Sequence, residues 1–289
     1  MNETTPVILI LGGGVAGMAA ARFLERQNLK IVLVEKDSSL GGHAAKWACM
    51  ATDTCANCGA CLSVDMARQV ARQKNIDLCL NDEIKTLAGK DGDFDIELAS
   101  GRTFKARKII LATGFSPFDP AGLFSLKARN YANVITTAQL NTLIRQEDLG
   151  ARLTGKTSPK IAFIQCVGSR NPKLGKDYCS QVCCKISMRH AAKLTDLIPD
   201  ARITLFYMDL QIIGKETRTL ARELAGKIDL VQGVPAEILK NPETGRLSMI
   251  TEDSETGTRI KNEFDLVVLS VGMTPSEGAE PTWEALGVR

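Results

Sequence analysis

The sequence predicts an α/β protein built from two parallel-sheet lobes, and three stretches predict it. Residues 7–35 read as strand, glycine turn, helix, strand and acid. Residues 108–114 read as an apolar strand ended by Ala112-Thr113-Gly114. Residues 158–190 open a second strand–loop–helix unit, with cysteines where its turn should lie. At 289 residues the chain is long enough to bury a core in each lobe.

In the first unit, the apolar run 7–11 is followed by Gly12-Gly13-Gly14-Val15-Ala16-Gly17, which satisfies G-x-G-x-x-G. Residues 19–24 continue as an amphipathic helix, and the strand 30–34 ends at Glu35. This is the complete dinucleotide-binding unit of a Rossmann-like fold. Gly12 allows the tight turn, and Gly14 lets the backbone approach a pyrophosphate at the helix N-terminus. There free N–H groups and the helix dipole favour an anion. Gly17 lets helix and strand pack closely, and Glu35 can accept hydrogen bonds from an adenosine ribose. The bland alternative is a glycine turn in an unrelated strand–helix–strand unit.

After Glu35 the chain runs Lys36-Asp37-Ser38-Ser39-Leu40-Gly41-Gly42-His43. An acid, a short loop and paired glycines resemble the FAD domain of two-dinucleotide-fold flavoproteins. The strand ending in Ala112, Thr113 and Gly114 resembles the second FAD motif of the same group. Together they favour FAD over NAD. His43 is placed to touch flavin or phosphate; a hydrogen-bonded structural histidine is the default reading for it and for His190.

Between these motifs, Cys55, Cys58 and Cys61 form C-x-x-C-x-x-C. That run suits three corners of an iron–sulfur cubane. Zinc and a redox-active dithiol are the alternatives. Cys49 is the nearest candidate for a fourth ligand, Cys79 is more distant, and a partner chain is a third source. Neither Cys49 nor Cys79 has another evident role. Residues 62–74 read as a helix, and 84–89, 95–99 and 102–105 as a small β-meander. Past the proline-rich break at 117–120, residues 119–157 read as a connector with one helix at 137–145.

The second lobe opens with the apolar strand 160–165, where Cys166 stands at the strand end. Three more thiols follow as C-x12-C-x3-C-C: Cys179 and the adjacent pair Cys183 and Cys184. Four thiolates satisfy a 4Fe–4S cubane. Buried free cysteines are the alternative, since a thiol packs as a small hydrophobe. A strand at 203–207, a helix at 217–225, a strand at 230–232, a hairpin turning at 254–257 and a last apolar strand at 266–271 complete the lobe. The expected boundaries are an FAD domain at 1–118, the connector at 119–157, the second lobe at 158–271 and a return to the FAD domain at 272–289.

The four cysteines, with the stretch Cys166-Val167-Gly168-Ser169-Arg170, resemble the flavoprotein subunit of heterodisulfide reductase and its bacterial relatives. The resemblance covers most of the chain. It implies a thioredoxin-reductase-like fold in which Cys166, Cys179, Cys183 and Cys184 hold an unusual 4Fe–4S cluster. In a pyridine-nucleotide reductase the strand at Lys160 would lead to a second glycine motif. Here one glycine remains, so the cluster would replace the nicotinamide nucleotide. The family places a lysine near the flavin in the helix after the cluster. The residue here is Arg189, a departure: a permanent cation would favour anionic reduced flavin but donate a proton less readily. A surface arginine is the equal alternative. The sequence ends before the segment that completes the family's flavin site, so a fragment or a subunit completed by a partner is expected.

Composition supports an ordinary soluble protein, 44% hydrophobic and 24% charged. A net charge of +3 gives no reason to expect nucleic acid or an anionic membrane surface. The start, MNETTP, is no signal peptide, and no apolar run approaches the ~20 residues of a membrane span. A cytoplasmic location follows, where nine cysteines read as ligands or redox groups rather than disulfides. The expected function is an electron-transfer flavoprotein subunit working between FAD and 4Fe–4S clusters in a heterodisulfide-reductase-like complex, with electron bifurcation left open. Its partners would be other subunits of that complex or a second copy in a homodimer. The rivals are a thioredoxin-reductase-like NAD(P)H disulfide reductase using Cys55 and Cys58, and a non-catalytic metal-binding assembly subunit.

Overall fold

The computed structural model describes residues 7–27, 29–153, 155–252, 254 and 256–287. The MNETTP start lies outside them. The chain divides into two units. The first comprises Met1–Cys49, Gly59–Ser116 and Pro275–Arg289, and the second Met50–Cys58 and Pro117–Thr274.

The first unit begins with strand β1 (Val7–Leu11), helix α1 (Val15–Glu25) and strand β2 (Lys30–Glu35). Short helix α2 (Gly42–Lys46), helix α3 (Ala60–Val70) and strand β3 (Ile76–Leu80) follow. The meander is β4 (Ile84–Lys90), β5 (Asp93–Leu98) and β6 (Thr103–Ala106), leading to β7 (Lys108–Leu111) and β8 (Phe115–Pro117). A four-stranded parallel sheet in the order β3-β2-β1-β7 forms the frame. Its strands are apolar runs because both faces are covered. Ile10, Met18, Ala21, Ile31 and Leu33 pack on the helix side. Leu9, Val32, Ile96 and Leu98 pack on the meander side. The sequence reading passed over β3, and with it the place of Cys79. That thiol is 7% exposed in the meander-side core, so it is a packing residue and not a fourth ligand. Arg102 also donates to its sulfur at 3.1 Å.

The second unit contains β9 (Val134–Thr136), α4 (Thr137–Arg145), α5 (Leu149–Arg152) and β10 (Lys160–Val167). Then come α6 (Cys183–Leu197), β11 (Arg202–Tyr207), α7 (Lys215–Leu224) and β12 (Asp229–Gln232). β13 (Ile238–Lys240), β14 (Leu247–Glu252) and β15 (Arg259–Phe264) form an antiparallel sheet, followed by β16 (Leu266–Val271) and β17 (Met273–Pro275). The chain ends its described course in α8 (Glu280–Ala285) of the first unit. The parallel sheet runs β12-β11-β10-β16-β9. Residues 119–157 are therefore more than a connector, because β9 is an edge strand of this sheet and pairs Val134 with Val267. A full capping box at Thr136 and Gln139 starts α4, which fixes where β9 ends.

Candidate functional site

In the first unit, the glycine turn lies at the carboxyl ends of β1, β2 and β7, where open parallel sheets bind ligands. Gly12 has φ +103°, and a Cβ there would meet the Ala112 carbonyl oxygen at 2.3 Å. A Cβ on Gly17 would lie 1.8 Å from the Gly12 oxygen, so the helix can start this close only on glycine. A Cβ on Gly14 meets no atom within 4 Å. It faces a cleft of about 1080 Å³ lined by Gly12, Gly14, Val15, Ala16, Glu35, Lys36, Gly41, Gly42, His43, Ala112, Thr113 and Gly114. The glycines leave a backbone cradle at the N-terminus of α1, large enough for a dinucleotide.

Glu35 is 7% exposed. Its Oε2 accepts from the Gly13 amide at 2.6 Å and its Oε1 from the Asp37 amide at 2.8 Å. The carboxylate braces the glycine turn as well as facing the cleft, and each oxygen retains acceptor capacity for a ribose hydroxyl. His43 stacks on Phe115 at 4.7 Å, and its Nε2 lies 2.8 Å from the Phe115 carbonyl. A carbonyl only accepts, so Nε2 carries the proton. Trp47, Asp82, Glu83, Ser276, Thr282 and Trp283 line the same cleft and belong to none of the motifs legible in the sequence. The two tryptophans were the available signal, since aromatic side chains are frequent in cofactor pockets.

In the second unit, β10, the following loops and the start of α6 bring Cys166, Cys179, Cys183 and Cys184 to one end of the sheet. β10 pairs Ile164 with Leu269 and Val167 with Val271, so Gln165 and Cys166 together stand opposite Ser270. This is a β-bulge, and it leaves Cys166 at φ +62°. Gly168 completes the turn at φ +72°, where any Cβ would strike the Phe118 ring at 2.1 Å. Ser169 then ties down the loop bearing Cys179. Its hydroxyl donates to the Tyr178 carbonyl at 2.8 Å and accepts from the Ser180 amide at 3.1 Å. Arg170 pairs with Asp209 at 2.5 Å, after the end of β11.

Cys183 and Cys184 are buried, while Cys166 and Cys179 are half-buried. Burial pushes the Cys166 thiol up to about 11, and the neighbouring Cys184 and Cys179 add to the shift. Burial pushes Cys183 up to about 12, with Cys166, Cys184 and Cys179 contributing. Burial also raises Cys184, against the lowering effect of the Gln211 backbone amide. Cys166, Cys183 and Cys184 thus lie within the field of neighbouring thiols, and none of these three ionises readily without a cation. Among the described residues, no three His, Cys, Asp or Glu side chains close round a point for a single metal ion. A four-iron cluster instead takes one thiolate at each corner, and four soft donors at one turn are the set it requires.

Cys55 and Cys58 lie in the Met50–Cys58 segment of the second unit, and Cys49 and Cys61 in the first. Cys49, Cys55 and Cys61 are exposed, and Cys58 is half-buried. Asn57, at φ +49°, donates its amide to Cys55 Sγ at 3.4 Å. Helix α6 grips this segment: Arg189 donates to the Asn57 carbonyl at 3.1 Å and Lys193 to the Ala51 carbonyl at 2.7 Å. Arg189 is thereby engaged with the Cys55–Cys58 loop. His190 is fully buried, and Asn141 donates to its Nε2 at 3.4 Å.

Paired parallel-sheet units, a glycine cradle and a cysteine-bearing turn define a two-dinucleotide-fold oxidoreductase. The chain belongs to the pyridine nucleotide-disulphide oxidoreductase family, whose model matches residues 6–156. It is similar to the A subunit of the H(2):CoB-CoM heterodisulfide,ferredoxin reductase of Methanothermobacter marburgensis, at 27% identity over 97% of this chain and 55% of the relative. It is also similar to an iron-sulfur A subunit of the CoB--CoM heterodisulfide reductase of Methanopyrus kandleri, at 27% identity over 99% of this chain and 56% of the relative. The chain spans about half the length of these curated relatives. Among solved structures, thioredoxin reductase of Lactococcus lactis matches with a TM-score of 0.58 at 19% identity, covering 94% of this chain and 79% of that one. This likeness bears out the expected thioredoxin-reductase-like fold. Among the described residues, no helix is long and apolar enough to cross a membrane.

Proposed function

We propose that the chain is an electron-transfer flavoprotein subunit of a heterodisulfide-reductase-like complex. FAD would occupy the first unit, and a 4Fe–4S cluster would sit on Cys166, Cys179, Cys183 and Cys184. The carrying observation is that Cys166 stands at the end of β10, Cys179 in the loop that follows and Cys183 and Cys184 at the start of α6, where a nucleotide-binding lobe would need a glycine loop. The naming of the Methanopyrus relative as an iron–sulfur protein supports the same reading.

When bound, FAD would supply a centre that exchanges electrons in pairs or singly, and the cluster a one-electron acceptor. The chain's own residues bind and orient. Gly12, Gly14 and the first amides of α1 would receive the pyrophosphate, and Glu35 the ribose. Buried Cys183 and Cys184 exclude water from their side of the metal group, and the helix N-terminus favours their thiolates. The Cys55–Cys58 loop, held by Arg189 and Lys193, would be a second metal or redox group. Other members of the complex would supply and remove electrons.

Iron, acid-labile sulfide and flavin per chain, measured on protein purified without oxygen, test this reading. About four iron atoms and one FAD fit one cluster, and about eight fit two. A Cys183→Ala variant should lose the iron of the first site and keep the flavin. Iron-free protein whose flavin is rapidly reduced by NAD(P)H would replace this reading with a disulfide reductase.

A further inference from the structure

Gln165 precedes Cys166 on β10 and is 1% exposed, yet neither polar atom of its carboxamide has a hydrogen-bond partner among the described residues. Buried amides are almost always paired. This one sits in a central strand, where an apolar residue would fit without cost.

Its place narrows what could pair with it. Ala162, Ile164 and Val167 pack in one core cluster with Phe206 and Leu269. Strand alternation therefore puts Phe163 and Gln165 on the opposite face. Helix α6 covers that face, since the Ser187 hydroxyl meets the Ser270 hydroxyl at 2.7 Å. Ser187 lies one helical turn beyond Cys183, and Ser270 is the residue that Gln165 and Cys166 jointly oppose across the bulge. The carboxamide is thus enclosed between the Cys166 turn and the first turns of α6.

The sulfurs are unequally served. Cys179 Sγ accepts from the Gln181 amide at 3.3 Å, and the Gln211 backbone amide acts to lower the pKa of Cys184. Among the described residues no hydrogen bond reaches Cys166 Sγ. A half-buried sulfur that becomes anionic on binding metal is stabilised by a donor. We propose that Gln165 is a positioning residue for the metal group on the four cysteines, its carboxamide N–H donating to that group on the Cys166 side and favouring its reduced form. The inference rests on the cluster reading above. A donor lowers the free energy of the more negative, reduced state, so it raises the midpoint potential.

The test uses the full chain purified without oxygen, with Gln165→Met and Gln165→Glu. Gln165→Met retains side-chain length and removes both polar atoms. It should keep the parental iron and sulfide content, and its cluster midpoint potential in an EPR-monitored redox titration should fall. Gln165→Glu, protonated at such a buried position, keeps a donor. Its potential should be near the parental value at low pH and fall as pH rises. An iron-replete Gln165→Met protein with the parental potential overturns the proposal and leaves the cluster reading intact. Should Gln165→Met lose its iron, Gln165→Glu decides at low pH: an iron-replete protein whose potential departs from the parental value, although a donor is kept, overturns it. An iron-free parental protein removes the cluster reading and this inference together.

Discussion

Arg189 and Asn57 are joined by a hydrogen bond of 3.1 Å across 132 positions of sequence. Lys193, one turn further along α6, makes the same kind of bond to Ala51. The helix that begins with Cys183 and Cys184 therefore also fixes the loop of Cys55 and Cys58. Arg189→Ala should cost about 1 kcal/mol locally. Hydrogen exchange should quicken across residues 50–58, and more so in the double variant with Lys193→Ala. Unchanged exchange would mean that the loop is held by its own turns.

The glycine turn separates fold from binding. Gly14 faces open space, so Gly14→Leu should leave the fold intact and fill the cradle. The expected result is folded protein with little or no bound FAD. Gly17→Ala instead places a methyl group against the Gly12 carbonyl, which should destabilise the first unit by ~1–3 kcal/mol. Circular dichroism melts and flavin content on the two variants should give opposite patterns.

His190 imposes a pH dependence on stability. Burial pulls its pKa from 6.5 down to about 4. Between these values the unfolded chain binds a proton that the folded chain does not. Stability from this group is therefore fully present above pH 6.5 and is lost as pH falls towards 4, by up to ~3 kcal/mol. Denaturant melts of His190→Gln and the parent should show a difference in stability that changes over that window. A constant difference would place a partner proton acceptor at the ring.

Asp265 works at lower pH. Burial raises its pKa, but the Lys160 amide at 2.9 Å, Lys156 at 3.1 Å and Arg246 at 3.2 Å outweigh burial and leave it lowered. A lowered carboxylate stabilises the fold above its unfolded pKa and ceases to do so as pH falls through its folded value. Asp265→Asn should lose ~2 kcal/mol at pH 7. The gap to the parent should close in acid melts below the ordinary carboxylate range.

The elements that a local pattern encodes were legible in the sequence. The run Gly12 to Gly17 between two apolar strands could be read because its strand, turn and helix are consecutive. The cysteine spacing likewise announced a turn, which the left-handed backbone of Cys166 and Gly168 forms. β9, three residues long, is too short to show a period, and only its pairing with β16 makes it a strand. β3 carries Asp77 amid its apolar residues, and its place follows from parallel pairing with β2. The bulge at Cys166 depends on register against β16. The grip of Arg189 on Asn57 and the isolation of Gln165 depend on residues far away in sequence. No window of neighbouring residues contains that information.

The left-handed backbone at Cys166 sets stability against the ligand role proposed for its sulfur. A non-glycine residue at φ +62° carries conformational strain of order 1 kcal/mol. Glycine would relieve it, at the loss of a sulfur. Selection of this chain for thermal resistance alone should therefore return Cys166→Gly, rebuilding the kind of loop that a nucleotide-binding lobe uses. A thermostable variant collection is thus a record of which positions the chain keeps for reasons other than folding.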